Sequence, residues 1–269
     1  MKVDLHLHTT FSDGTLTPEQ VVDKAYSLNL RAIAITDHDT VDGIVPAMER
    51  AKKYPLLEVV PGIEINTYYI EEEVHVLGYY IDYRGNTLKS TLDALQKERI
   101  ERIKKIIEKL RELGIEITFE EVEAKASGSS IGRPHVARTL IDKKIVSSVD
   151  EAFALYLDQG KPAYVPRQKL TPYSAVDLIK KCGGIAVIAH PGMLKNQDIV
   201  KSLINYGIQG IEVYHKEHDD ERVKYYKNIA MKYGLLMTGG SDCHGAPLLM
   251  GSQPVPYEYF IGLKRFKKI

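Results

Sequence analysis

Seven short apolar runs alternate with helix signals along the chain, and this alternation most restricts the folds open to it. The runs are KVDLHLH (2–8), RAIAIT (31–36), LLEVVPGIEI (56–65), EVHVLGYYI (73–81), GIAVIAH (184–190), QGIEVYH (209–215) and GLLMTGGSD (234–242). Several are β-branched and apolar almost throughout, the pattern of strands buried on both faces of a parallel sheet. The helices between them announce themselves with caps. Thr17 precedes Pro18 and stands three residues before Gln20, the spacing of a capping box. Thr171-Pro172 repeats the start, and that helix stops at Gly183-Gly184. Strand and helix in turn predict a parallel α/β body, either an open sheet or a barrel. A chain of 269 residues is long enough for one large α/β domain, or for one carrying an insertion.

One region interrupts the alternation. Leu88, Leu92, Leu95, Ile103, Ile106, Leu110 and Leu113 recur at helical spacing, and TFEEVEA, GRPHVARTLIDKKI and SSVDEAFALYL continue the helical pattern. Thr118 with Glu121, and Ser148 with Glu151, have capping-box spacing. Residues 85–162 therefore read as a helical insertion, and 1–84 with 163–269 as the α/β body. In the long helix Glu98/Arg102 and Glu101/Lys105 stand at the spacing of solvated ion pairs, which favours an ordinary packed helix over a nucleic-acid-binding one. Between 133 and 169 the balance shifts: Arg133, Arg138, Lys143, Lys144, Lys161, Arg167 and Lys169 face Asp142, Asp150, Glu151 and Asp158, a hint of an anion-facing lid.

Across the whole chain 36 basic residues balance 36 acidic ones, so no global field steers it towards a polyanion or a membrane. Cys182 and Cys243 make no disulfide framework, which points to a reducing compartment. The first residues read as a strand rather than a leader, and no apolar run is long enough to span a bilayer. The expectation is a cytoplasmic protein with no obligatory protein partner.

The chemistry begins in VDLHLHTTFSDG. Strict alternation along a strand puts Val3, Leu5 and Leu7 on one face and Asp4, His6 and His8 on the other, with the two imidazoles about 7 Å apart along the strand. Other polar residues fall at strand ends: Asp13, then Asp37, His38 and Asp39 in TDHD, Glu64 in PGIEIN, and His190 in IAHPG. Glu212, His215 and His218 follow in IEVYHKEHDD, then Asp242 and His244 in GGSDCHG. His75 lies inside an apolar run. Of nine histidines, all but His135 and His218 lie on or just after a predicted strand. Catalytic residues gather at the C-terminal ends of parallel strands. Histidines mixed with carboxylates, without paired cysteines, describe a catalytic rather than a structural metal site. His6, His8, Asp13, His38, Glu64, His75, His190, Asp242 and His244 are nine candidate ligands. That is enough for two or three divalent ions, with Glu64 bridging. Such a cluster suits phosphoryl chemistry, in which ions activate water and neutralise the phosphate. Cys243, between Asp242 and His244, reads as a small buried spacer pointing the other way. No GxSxG elbow, Walker loop or Rossmann glycine pattern offers a rival chemistry.

HLHTTFSDG, ITDHD, PGIEI, HVLGYYID, AHPG and GSDCHG, in this order, resemble the motifs of the PHP (polymerase and histidinol phosphatase) family. IGRPHVARTLI, GKPAYVPR and IEVYHKEH resemble its branch of nucleotide-acting phosphoesterases, which remove the 3′-phosphate from nucleoside 3′,5′-bisphosphates or degrade short RNA from the 5′ end. The resemblance implies a distorted (β/α)7 barrel with metal ions, manganese favoured over iron or zinc, at the C-terminal ends of its strands. It assigns His6, His8, Glu64 and Asp242 to one ion, Glu64, His75 and His190 to a second, and Asp13, His38 and His244 to a third. It also makes Arg133 and His135 phosphate-holding residues on a lid, and His218 a phosphate ligand or proton donor. His215 and Asp37 would orient ligands. The implied partner is a small nucleotide or a short oligonucleotide. The alternatives are a histidinol-phosphate phosphatase and, outside enzymology, a metal-stabilised accessory module of a polymerase assembly.

Overall fold

The computed structural model describes all residues except 71, 127–129, 167–169 and 269. Seven strands, β1 (Lys2–Leu7), β2 (Leu30–Ile35), β3 (Glu58–Tyr69), β4 (Glu72–Tyr79), β5 (Ile185–Ile188), β6 (Gly210–Tyr214) and β7 (Leu236–Gly239), form one sheet in sequence order. The sheet curls until its ends meet. Leu7 bridges Cys243, just beyond β7, and His8 N donates to Cys243 O at 3.1 Å. Below this bridge the Asp4 carboxylate accepts from Ser241 N (2.9 Å), Ser241 Oγ (2.6 Å) and Gly251 N (2.8 Å). Tyr79, on the fourth strand, donates its hydroxyl to Leu5 O on the first at 2.8 Å, a contact that spans the interior of a curled sheet. The result is a distorted seven-stranded α/β barrel.

The fold departs from an all-parallel expectation at β4. This strand runs antiparallel to both β3 and β5. Because it is reversed, its first residues, not its last, lie level with the C-terminal end of β5. His75 O accepts from Ala189 N at 3.1 Å. The reversal brings a histidine from an apolar run to the mouth of the barrel.

Two apolar layers sandwich the strands. One contains Ile33, Ile35, Ile63, Ile65, Val76 and Ile188, and lies under α1 (Pro18–Ser27), α2 (Ile44–Ala51) and later helices. The other contains Val3, Leu5, Ala34, Val60, Leu77, Tyr79 and Val187, together with Phe260 and Leu263. Leu7 belongs to the first layer, whereas Val3 and Leu5 belong to the second. The alternation expected for β1 therefore fails, and the ladder to β2 shifts register between Asp4 and Leu7. Cys243 packs in the helix-covered layer, away from the histidines.

After β4 the chain enters α3 (Asn86–Glu112), a helix of 27 residues and about 40 Å. Leu88, Leu92 and Leu95 pack into the barrel's helix-covered layer. Ile103, Ile106 and Leu110 belong to a separate apolar cluster. That cluster is completed by residues of α4 (Phe119–Glu123), α5 (Arg133–Asp142) and α6 (Val149–Ala152), the last running into a π turn over Phe153–Leu157. The Thr17/Gln20 and Thr118/Glu121 capping boxes form as spaced. At Ser148 the box is half made: Ser148 Oγ accepts from Glu151 N, but the Glu151 carboxylate turns to Ser147. Beyond β4 the remaining helices are α7 (Pro172–Lys181), α8 (Asp198–Tyr206), α9 (Asp220–Tyr233) and α10 (Tyr257–Lys267). Among the described residues no helix is long and apolar enough to cross a membrane.

Arg99 sits where α3 passes from one cluster to the other. Its Nε and Nη2 donate to Asp39 Oδ2 at 3.0 and 2.5 Å, and its Nη1 donates to Ile131 O at 3.2 Å. Both side chains are buried, so removing the guanidinium would leave the Asp39 charge in the interior without this cation, while its Oδ1 keeps the bond from Asn66 N at 3.0 Å. Arg99→Met is expected to cost about 3–5 kcal/mol. Chemical denaturation measures this, and Arg99→Met/Asp39→Asn should recover a large part of the loss. A loss near zero would mean that water reaches this pair freely.

Candidate metal centre

The mouth of the barrel is organised around one carboxylate. Glu64 projects from β3, and five histidine nitrogens surround its two oxygens. Oε2 lies 3.2 Å from His6 Nε2, 3.2 Å from His8 Nε2 and 3.1 Å from His38 Nδ1. Oε1 lies 2.9 Å from His75 Nδ1 and 3.0 Å from His190 Nε2. His6 is the penultimate residue of β1, and His8 follows the strand. His38 follows β2 and bridges to Glu64 itself, while His75 lies in the first half of β4 and His190 follows β5. The last two carboxylates come from loops. Asp242 Oδ1 is 3.1 Å from His8 Nε2 and 3.5 Å from His6 Nε2; Asp13 Oδ1 is 3.2 Å from His244 Nε2. All nine sequence candidates are thus brought together.

Backbone strain accompanies this convergence. His190 (φ 26°) and Asp242 (φ 50°) adopt left-handed conformations that side-chain-bearing residues seldom take. Gly240 lets the GGSD segment press on β1: a Cβ there would stand 2.4 Å from His6 N.

The donor atoms fall into three overlapping groups: His6, His8, Glu64 and Asp242; His8, Asp13, His38 and His244; and His38, Glu64 and His75. The first equals a predicted ligand set. The second adds His8 to another, and the third takes His38 where His190 was expected; His190 nevertheless reaches Glu64. Whether cations suit the site can be judged from its unmet polar atoms. His8 Nε2, Asp13 Oδ1, His38 Nδ1, His75 Nε2 and His190 Nδ1 are buried without an aligned hydrogen bond. A single such atom costs about 1–3 kcal/mol, and His8 Nε2, Asp13 Oδ1 and His38 Nδ1 face the centre itself, so three at one point need another partner. Imidazole nitrogens and carboxylate oxygens are the donors that divalent manganese, iron or zinc accept. The residues fit metal.

The electrostatics agree. Burial alone would raise the Glu64 pKa, but His38, His6 and His75 outweigh it and hold the group well below the carboxylate range. Asp242 and Asp13 are likewise held down against burial, chiefly by His244. Burial would lower His8, yet Asp242 and Glu64 lift it to about 10; His75 rises to about 9, chiefly through Glu64. His38 goes the other way, to about 3, through burial and the neighbouring His8 and His75 charges. His6 is also raised, against burial, well above its ordinary value by Glu212, Glu64 and Asp242. Without ions these three rings therefore favour their protonated forms, a positive charge that cations would replace.

A surrounding layer fixes the rings. Glu212, on β6, accepts from His6 Nδ1 through Oε1 (3.0 Å) and from His190 N through Oε2 (2.7 Å). It thereby turns His6 Nε2 towards Glu64 and pins the strained turn that carries His190. Glu212 had no role assigned from sequence, although a charge between the apolar Ile211 and Val213 was the available signal. Asp37 accepts from Thr9 N, Thr9 Oγ1 and Ser12 Oγ at 2.7, 2.7 and 2.6 Å, shaping the loop that leads to Asp13. His215 Nε2 lies 3.4 Å and Lys216 Nζ 3.0 Å from Asp242 Oδ2; Lys216 was not anticipated.

The remaining candidates lie farther out. His218 is buried with both ring nitrogens engaged: Nδ1 donates to Val213 O (2.9 Å) and Nε2 accepts from Gly192 N (3.0 Å). This supports the turn after His190 and leaves no ring N–H for a substrate. His135 is fully buried; its Nδ1 accepts from Gly132 N at 3.0 Å, and its Nε2 has no hydrogen bond. Arg138, one helical turn further on, donates to Asp13 O at 2.5 Å. Arg133 donates to Leu157 O (3.1 Å) at the π turn and to Glu73 Oε1 (3.1 Å), with its guanidinium 5.2 Å from the Phe153 ring centroid. A cavity of about 580 Å³ opens beside His75 and His190 and is lined by Tyr68, Glu73, Arg133, Lys161, Tyr164 and Met193, among others. Arg167 and Lys169, counted in the basic stretch, lie outside the described residues.

Comparison with known proteins agrees with this architecture. The PHP domain model matches residues 4–263. A 5′-3′ exoribonuclease Rnm of Escherichia coli is 34% identical over 260 residues, covering 94% of this chain and 86% of that protein. A 3′,5′-nucleoside bisphosphate phosphatase of Chromobacterium violaceum is 34% identical over 253 residues, covering 90% and 87%. A crystal structure from Bifidobacterium adolescentis, described as a metal-dependent phosphoesterase, superposes with a TM-score of 0.90 at 30% identity, covering 97% of this chain and 94% of that one. The chain belongs to the PHP domain family and is a metal-dependent phosphoesterase, a hydrolase of phosphoester bonds.

Proposed function

We propose that this phosphoesterase removes the 3′-phosphate of nucleoside 3′,5′-bisphosphates, with short 5′-phosphorylated RNA as a second class of substrate. The carrying observation is the cavity beside His75 and His190, which puts Arg133 and Lys161 on the same wall system as two rings of the metal centre. Its volume is in the range of small-molecule sites. One phosphate would meet the centre while Arg133 and Lys161 hold the other, and Tyr68, Tyr164 and Met193 offer surface to a base. The similarity to an exoribonuclease and to a bisphosphate phosphatase supports a nucleotide substrate.

In this reading His6, His8, Glu64 and Asp242 hold one divalent ion, Glu64, His75 and His190 a second, and Asp13, His38 and His244 a third. Bound ions supply water activation and charge neutralisation. The protein's own part is placement. Glu212 keeps the His6 Nε2 lone pair aimed at the centre, and Asp37 holds the Asp13 loop. Arg133 presents its planar fork to phosphate oxygens. His135, fully buried, acts as a positioning residue that accepts from Gly132 N at the start of α5 rather than as a phosphate contact. His218 acts as a positioning residue through Gly192 rather than as a proton donor, because its ring has no N–H to give. Residues 85–162 would form the lid, and 1–84 with 163–269 the catalytic body.

The test is phosphate release by manganese-loaded protein from adenosine 3′,5′-bisphosphate, with adenosine 3′-monophosphate, 5′-AMP, histidinol phosphate and a 5′-phosphorylated RNA trinucleotide alongside. The bisphosphate should exceed the 3′-monophosphate in kcat/KM by roughly ten- to a hundredfold, the value of charge-assisted bonds to a second phosphate. Preference for histidinol phosphate would overturn the nucleotide reading.

A further inference from the structure

Adjacent acids at the start of β4 do different work. Glu72 is committed to the backbone, accepting from Lys195 N at 2.5 Å and Asn196 N at 3.1 Å. Glu73 faces the cavity. Its Oε1 takes Arg133 Nη2 at 3.1 Å, and its Oε2 lies 3.8 Å from His75 Nε2, a ring nitrogen with no hydrogen bond. One carboxylate therefore reaches between the metal centre and the guanidinium, with an oxygen towards each. A phosphate held by Arg133 would need the same position. Arg133 is otherwise well fixed, by Leu157 O at the π turn and by the Phe153 ring, so it is the carboxylate that has to yield.

We propose that Glu73 is a built-in competitor for the phosphate position on Arg133. It occupies the guanidinium when no anion is bound, swings aside for the substrate, and returns as the product leaves. The carboxylate thus weakens phosphate binding and speeds product release. The proposal rests on the reading of Arg133 as a phosphate-holding residue.

The test is a double-mutant cycle read by isothermal titration of the metal-loaded protein with inorganic phosphate, so no nucleotide preference enters. Glu73→Gln should bind phosphate roughly fivefold more tightly, the size of a partly exposed ion pair. Arg133→Met should bind it more weakly, and in that background Glu73→Gln should change affinity by less than about twofold. Equal or weaker binding by Glu73→Gln would overturn the proposal and leave the carboxylate as a support for Arg133. Equal tightening in both backgrounds would overturn it as well, since the effect would then be a general field. A fall in metal content in Glu73→Gln would make Glu73 an ion ligand, again overturning it. If Arg133→Met alone leaves phosphate affinity unchanged, the reading of Arg133 fails, independently of how Glu73→Gln behaves.

Discussion

Glu64→Gln is expected to lower turnover by roughly a thousandfold or more while the chain stays folded. Glutamine keeps the shape but replaces an anion ringed by five histidine nitrogens with a neutral amide. One of its two atoms can then only donate, towards rings that must themselves present lone pairs. A loss of about 4 kcal/mol in transition-state stabilisation corresponds to three decades in rate. Metal content, measured by inductively coupled plasma mass spectrometry, should fall by at least one ion per chain, with circular dichroism unchanged. Full metal content and activity would show that Glu64 is an ordinary buried acid and that the ions sit elsewhere.

The second large effect concerns pH. In the metal-free protein His8 is raised to about 10 and His75 to about 9, both above the ordinary 6.5. A raised histidine stabilises the fold fully below pH 6.5, and that contribution fades as pH climbs through the folded value. The metal-free protein should therefore lose stability between pH 6.5 and 10. Ion binding runs oppositely, because the rings must shed their protons to become ligands. His6 is raised as well, against burial, by Glu212, Glu64 and Asp242. At pH 7 loading should therefore release about three protons from these rings, and apparent affinity should rise about tenfold per pH unit for each proton displaced, up to pH 9–10. Titrations in buffers of different ionisation enthalpy count the protons. A pH-independent affinity between 6.5 and 9 would mean that these rings are already neutral without metal.

Much of this was readable from spacing. Strand ends carrying His6, His38 and His190 follow from a local pattern, because an apolar run that stops at a polar residue marks both an element and its mouth. Glu64, expected at a strand end, sits mid-strand because pairing with β4 carries β3 on to Tyr69. The reversal of β4 was not readable, since antiparallel and parallel buried strands share the same apolar run. It took pairing with β3 and β5 to show why His75, early in its strand, reaches the same point as residues late in theirs. The register shift in β1 was hidden for a similar reason: alternation is a rule about ideal strands, and closure against Ser241 and Cys243 is a tertiary event. Nothing in the spacing singled out Arg99 among the charges of α3; only the fold brings it beside Asp39. His218 carried a motif match but no information about its neighbours, and Val213 O and Gly192 N take both its nitrogens.

The division of α3 between two apolar clusters turns that helix into a keyed shaft. Leu88, Leu92 and Leu95 lock its lower half to the barrel, and Ile103, Ile106 and Leu110 lock its upper half to the helices beyond. Adding one residue between Leu95 and Ile103 would lift the upper half by about 1.5 Å and also rotate it by about 100°, turning its apolar side from its cluster. Additions of about four or seven residues, one or two turns, come nearest to restoring the facing, and these raise everything above by about 6 or 10 Å at once. The clearance over the metal centre can thus change only in coarse steps. In a lineage built on this plan, room for a longer substrate would arrive as a jump in helix length rather than by gradual widening.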